Sequence, residues 1–224
     1  MTSRDPESVA LALVAQEKGI LAADETVPTL TRRFDTLGFQ STERSRRTYR
    51  EMLFTCPGVS EFISGAIMYD ETIRQKSSSG SPLSKALAAQ GILPGIKVDT
   101  GAKPLAGSPG EAVTEGLDGL RDRLSEYRSM GARFAKWRAV IRVTETVSGA
   151  KPWKISFSYG RALQDPALEA WHGREDNLAA GQRAPLYHRG RSKGAACAGK
   201  YMDEMEAASQ GADDPPDRQE LRDD

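Results

Sequence analysis

Two apolar stretches with the character of buried strands, RFAKWRAVIRV (Arg133 to Val143) and KPWKISFSYGRALQ (Lys151 to Gln164), follow each other so closely that their pairing is restricted. Between Val143 and Trp153 the chain has only TETVSGAKP. A parallel crossover takes about a dozen residues or more, usually including a helix. The two stretches therefore cannot be neighbours in an ordinary strand–helix–strand unit. The first also carries Lys136 and Arg138 in its middle, and burying a cation is costly unless a partner or a ligand compensates.

Upstream, short apolar runs alternate with helical patterns. PESVALALVAQEKG places Pro6 at a first helical position and Gly19 just past the end. GILAAD follows as a short run closed by Asp24; Ser41 to Thr55 has helical spacing behind a good cap; Gly65 to Tyr69 is an apolar run that meets Asp70 and Glu71. SPLSKALAAQG, with Pro82 near its start and Gly91 as its stop, leads into LPGIKVD, Leu93 to Asp99. Another helix, Leu117 to Met130, leads through Gly131 into RFAKWRAVIRV, and SSSGSP (Ser77 to Pro82) reads as a loop. This is the pattern of a parallel sheet covered by helices.

Each apolar run carries its charges at or near its C-terminal end: Asp24, then Lys97 with Asp99, then Lys136 with Arg138, and finally Arg161. Alternation puts Lys97 and Asp99 on one face, and Phe134, Lys136 and Arg138 on one face. A single strand lysine is most simply a long stem covering apolar surface. Several charges at the same strand end are where a parallel barrel builds its active site, and mixed carboxylates and cations there point to an anionic substrate. Bulk charge does not: 31 cations balance 31 anions, which argues against nucleic acid and against an anionic membrane as partners. No window approaches the roughly 18 apolar residues of a membrane span, and the N-terminus lacks an export signal. Cys56 and Cys197 have neither metal nor disulfide spacing, and His172 and His188 are the two histidines, which disfavours a zinc site and suits a reducing, cytoplasmic compartment.

KGILAADE (Lys18 to Glu25), GIKVDTG (Gly95 to Gly101), PLAGSPGE with EGLDGL, FAKWR (Phe134 to Arg138) and SFSYGRALQ (Ser156 to Gln164) together resemble class I fructose-bisphosphate aldolase, in the family's order and over about Lys18 to Tyr201. The resemblance implies a (β/α)8 barrel that reversibly cleaves fructose 1,6-bisphosphate into the triose phosphates dihydroxyacetone phosphate and glyceraldehyde 3-phosphate, in glycolysis. It implies a lysine Schiff base, no metal or other cofactor, and a homo-oligomer, usually tetrameric in animals. Carried over, Asp24 matches the catalytic aspartate of the first strand, Lys97 a lysine near the substrate, and Lys136 the lysine that assists carbinolamine formation and dehydration. Arg138 matches its phosphate-contacting neighbour, Arg33 a substrate-phosphate arginine beside Arg32, and Ser158, Tyr159, Gly160 and Arg161 the last-strand turn that holds a phosphate. After Asp24 the chain reads ETVPTLTRR where the family has an ESTGS pattern, so Thr26 or Thr29 would have to supply that contact.

The resemblance also marks what is missing. In the family three further strand–helix units follow FAKWR, and the sixth strand carries the Schiff-base lysine in a segment resembling LLKPNMV; no such segment occurs here. The expected fold is thus an α/β, incomplete TIM barrel, open, with about five of eight strands. Residues 1–210 form one truncated domain with its deletion junction near 144–151, and 211–224 a polar, disordered tail. Arg174 to Tyr201 looks like the family's last helix, weakened by Pro185 and several glycines. Three readings stay open: an aldolase without its central amine, a non-catalytic remnant that binds sugar phosphates or associates with a full-length aldolase, and an unstable product of a deleted gene.

Overall fold

The computed structural model describes residues 5–15, 17–139, 156–202 and 204–207. The chain opens with α1 (Pro6–Leu13), capped by the Asp5 carboxylate, which accepts from the Ser8 N–H. Next come β1 (Gly19–Ala23), α2 (Val27–Thr36), α3 (Glu43–Phe54), β2 (Ile63–Met68), the short helices α4 (Asp70–Arg74) and α5 (Leu83–Ala89), and β3 (Leu93–Lys97). A hairpin of β4 (Gly101–Pro104) and β5 (Ala112–Glu115) precedes α6 (Leu120–Ser129), β6 (Phe134–Lys136), β7 (Ser158–Tyr159) and α7 (Arg161–Trp171). The last described elements are α8 (Leu178–Gly181), a π-helical stretch over Gln182–Tyr187, α9 (His188–Cys197) and α10 (Glu204–Ala207).

The sheet runs β6-β3-β2-β1-β7, five strands, and every pairing within it is parallel. The two stretches that crowd each other in sequence therefore lie at opposite edges: β6 pairs with β3, β7 with β1. Among the described residues the sheet is open, as expected for an incomplete barrel. Several boundaries differ from the sequence reading. The first helix ends at Leu13, short of Gly19; α6 begins at Leu120; and the strand in FAKWR stops at Lys136, its reading from 140 onward lying outside the described residues. Of the stretch read as a strand from Lys151 to Gln164, 151–155 lie outside the described residues; among the rest Ser158–Tyr159 is strand and Arg161 onward is helix. The junction at 144–151 and the tail at 211–224 also fall outside the described residues. Pro185 lies in the π-helical stretch, a wider turn that suits a residue unable to donate the regular bond.

Alternation divides the sheet into two faces. Leu21, Ala23, Ile96 and Val98 point to the helices and join a core of Leu30, Phe34, Tyr49, Leu53, Leu87, Leu163 and Trp171. The other face is inner, and at its centre the Phe134 ring lies over Gly65 and Gly95. A Cβ on Gly95 would fall inside that ring. We expect Gly95→Ala to lose about 1–3 kcal/mol by overpacking, read by urea denaturation, with part recovered when Phe134→Leu is added. Unchanged stability would show that the ring does not seal this face.

Candidate functional site at the strand ends

All five strands are parallel, so the charges that close them converge on one edge. The inner-face parity of Gly95 and Phe134 extends to Lys97 and Lys136, two residues on in each strand. Lys136 Nζ donates to Asp24 Oδ2 at 2.6 Å. This pair spans β6 to β1, three strand spacings, which in a flat sheet is about 14 Å. A lysine side chain cannot bridge that distance, so the contact requires the sheet to curl toward its inner face. Lys97 Nζ donates to Asp99 Oδ1 at 2.6 Å. Asp99, whose side chain is wholly buried, also accepts from the N–H of Gly101 at 3.1 Å and, through Oδ2, from the N–H of Arg138 at 3.3 Å. Burial opposes its charge, but the Lys97 hydrogen bond and the Lys97 and Lys136 charges outweigh that and hold its carboxyl below the usual range. The hairpin leans on the same place: the Thr114 hydroxyl donates to the Arg138 carbonyl at 2.8 Å.

At the other edge, Gly160 joins β7 to α7 as the N-cap residue, with no side-chain cap. The positive end of an 11-residue helix thus meets the strand ends. Ser158 and Arg161 are exposed there, as is Arg138 across the sheet, and Tyr159 is half-buried. The structure brings Asp24, Lys97, Lys136 and the Arg138 backbone into one half-site, with Ser158, Tyr159, Gly160 and Arg161 across the sheet at the same strand ends. Arg33 is taken up by neighbouring side chains. Its guanidinium donates to Glu25 Oε1 at 2.8 Å, Asp165 Oδ1 at 2.5 Å and Gln164 Oε1 at 3.3 Å, in the layer between helices and sheet. Glu25 is shared, its Oε2 accepting from Arg50 Nη2 at 2.7 Å. Thr26 and Thr29 hydrogen-bond each other at 3.0 Å. Among the described residues no cluster of His, Cys, Asp or Glu could hold a metal ion, and no helix is long and apolar enough to cross a membrane.

Sequence reasoning passed over Asp99 and Glu25 as functional groups. Asp99 carried a signal, the shared face with Lys97; Glu25 showed only as a second acid after Asp24.

The sequence profile described as glycolytic fructose-bisphosphate aldolase class-I matches residues 6–150 and, separately, 143–215. A probable fructose-bisphosphate aldolase class 1 of Xanthomonas campestris pv. campestris is 60% identical over 138 residues, covering 62% of this chain and 41% of that protein. A cytosolic fructose-bisphosphate aldolase 6 of Arabidopsis thaliana is 52% identical over 126 residues, 56% of this chain and 35% of that one. The chain thus spans about two-fifths of the length of such relatives. The Plasmodium falciparum fructose-bisphosphate aldolase, in a ternary crystal structure with TRAP and a small-molecule inhibitor, superposes with a TM-score of 0.78 at 26% identity, covering 87% of this chain and 94% of that one. With the strand order, the curled inner face and the charged strand ends in place, the match over most of the sequence settles the family: this chain belongs to the class I fructose-bisphosphate aldolases.

Proposed function

We propose that this chain binds the sugar phosphates of the aldolase reaction, fructose 1,6-bisphosphate and its triose products, in the half-site at its strand ends, and does not cleave them. The observation that carries this reading is the state of the two inner-face lysines. Cleavage through an iminium needs a neutral amine to attack the ketose carbonyl. Lys136 and Lys97 each have Nζ turned to a carboxylate at 2.6 Å, Asp24 and Asp99 respectively, so neither amine is presented to a ketose carbonyl. The two separate profile matches meet at 143–150, where the strand–helix units bearing the family's Schiff-base lysine would belong.

For binding, the remaining parts suffice. A phosphate at Gly160 meets a helix N-terminus and the Arg161 guanidinium, a favourable combination for a dianion. Arg138 and Ser158 supply further donors, while Asp24 and the Lys136 ammonium face the hydroxyl-bearing carbons between the phosphates. The same reading takes the cytosol as the compartment, as named for the Arabidopsis relative, and association with further aldolase chains as the assembly.

Borohydride trapping tests it. After incubation with fructose 1,6-bisphosphate and reduction, mass spectrometry should find no covalent adduct on this chain while a full-length aldolase control labels; an adduct on Lys136 or Lys97 would show that the half-site keeps Schiff-base chemistry. In parallel, ligand at about a hundred times its Kd should stabilise the fold by about 2.7 kcal/mol. For a chain of this size that is a rise in Tm of roughly 5–10 °C, and no rise would dismiss binding.

A further inference from the structure

Arg33 and Asp165 lie far apart in sequence, on α2 and α7, yet their contact at 2.5 Å is part of a closed set of bonds around the first turns of α7. Gln164, fully buried, donates from Nε2 to the carbonyl of Ala22 on β1 at 2.5 Å, and its Oε1 accepts from the Tyr49 hydroxyl at 3.0 Å and from Arg33 at 3.3 Å. Among the described residues, strand β7 is paired with β1 over Ser158 and Tyr159. Just beyond that pairing, the Gln164 amide reaches the Ala22 carbonyl from the helix side. The start of α7 is held to β1 by the Gln164 side chain and to α2 by the Asp165 side chain. The Arg33 side chain, 14% exposed, is occupied by Glu25 and Asp165 together.

We infer that the Asp165–Arg33–Gln164 clamp is a positioning element for phosphate binding at Gly160 and Arg161, so that the acidic residue Asp165 supports the binding of an anion. This rests on the half-site binding reading. The clamp works by geometry: it fixes the axis of α7, and hence the direction of its N-terminal N–H groups, relative to the end of β1. Arg33 serves through Asp165 instead of touching the phosphate.

The sign of one substitution decides. If Arg33 were itself a phosphate ligand, Asp165→Asn would remove a competing negative charge and tighten binding. On the clamp reading, the same change loosens α7 and weakens fructose 1,6-bisphosphate binding, by roughly tenfold for a displacement of a fraction of an ångström. Isothermal titration of the wild-type chain, Asp165→Asn and Asp165→Glu with fructose 1,6-bisphosphate, alongside their Tm values, makes the comparison. Expected are weaker binding by Asp165→Asn at nearly unchanged Tm, since Asp165 is 45% exposed, and recovery in Asp165→Glu. Binding by Asp165→Asn equal to or tighter than wild type overturns the clamp, as does a loss shared by Asp165→Glu and matched by a fall in Tm. A wild-type chain that does not bind overturns the binding reading itself, and the clamp with it.

Discussion

Replacing Glu25 by glutamine should destabilise the chain by about 3–5 kcal/mol, the range for stripping a buried ion of its counter-charge. Arg50 has a side chain only 2% exposed, and its acidic contact is Glu25 Oε2 at 2.7 Å. Arg33 keeps Asp165 when Glu25 is neutralised, but Arg50 is left charged inside the helix layer. Acid should do what the mutation does. Burial disfavours the Glu25 carboxylate, yet Arg50 and Arg33 together outweigh it and hold its pKa below the usual glutamate value. In the unfolded chain Glu25 takes up its proton at the ordinary value, in the folded chain only at lower pH. The stability it contributes is thus complete above the ordinary glutamate range and is lost as pH falls through the folded value. Urea denaturation from pH 7 to pH 3 should show a fall that is shallower in Glu25→Gln, because that variant is already neutral there. A double variant with Arg50→Met should regain much of the loss, since a buried pair replaced by apolar groups is often neutral. If the single variant unfolds within 1 kcal/mol of wild type, the cluster of Glu25, Arg33 and Arg50 is not an organising element of the fold.

The other large effect is expected at Trp171. Its ring stacks on Tyr49 with centroids 5.6 Å apart and meets Phe39 and Phe34 edge-on at 5.4 and 6.0 Å. It is 1% exposed, and it is the large aromatic of α7 that faces α2 and α3. Trp171→Ala should cost about 3–5 kcal/mol, a large part of the roughly 5–15 kcal/mol typical of a domain. The loss should be local in character. With two paired residues in β7, the packing of α7 is what keeps that strand on β1, so hydrogen exchange should quicken first over Ser158 to Trp171. Uniform quickening along the whole sheet, or a loss under 1 kcal/mol, would mean that the aromatic cluster does not anchor this helix.

The parts that sequence made legible share one property: they are apolar, periodic and closed by strong stop signals. β1, β2 and β3 are apolar runs bounded by glycine or charge, and α3 has its Thr42–Ser45 capping box. The parts that escaped are those in which exposure removes the pattern. α2 has Val27, Leu30 and Phe34 at helical spacing behind Pro28, but with its other positions polar the apolar stripe is narrow and easily passed over. The β4–β5 hairpin is largely exposed, GAKP against AVTE, with no alternation to reveal its strands. The placing of Asp24, Lys97 and Lys136 together was readable from their positions at strand ends. The surroundings of Arg33 were not, because Glu25, Gln164 and Asp165 gather around it only once helices distant in the chain have packed together.

The pairing of β7 with β1 has a consequence for how the chain is made. Gln164 and the Ala22 carbonyl it binds are 142 residues apart. On the ribosome β1, β2, β3 and β6 emerge, in that order, well before β7 and α7 exist. Until they arrive, β1 presents an unpaired edge and Phe34, Phe39 and Tyr49 lack their cover. Closing so long a loop adds little entropy beyond what a shorter one requires, but contacts this distant in sequence slow folding. The β7–α7 side of the half-site thus joins β1 late, and in the interval before it does the nascent sheet stands open at that edge.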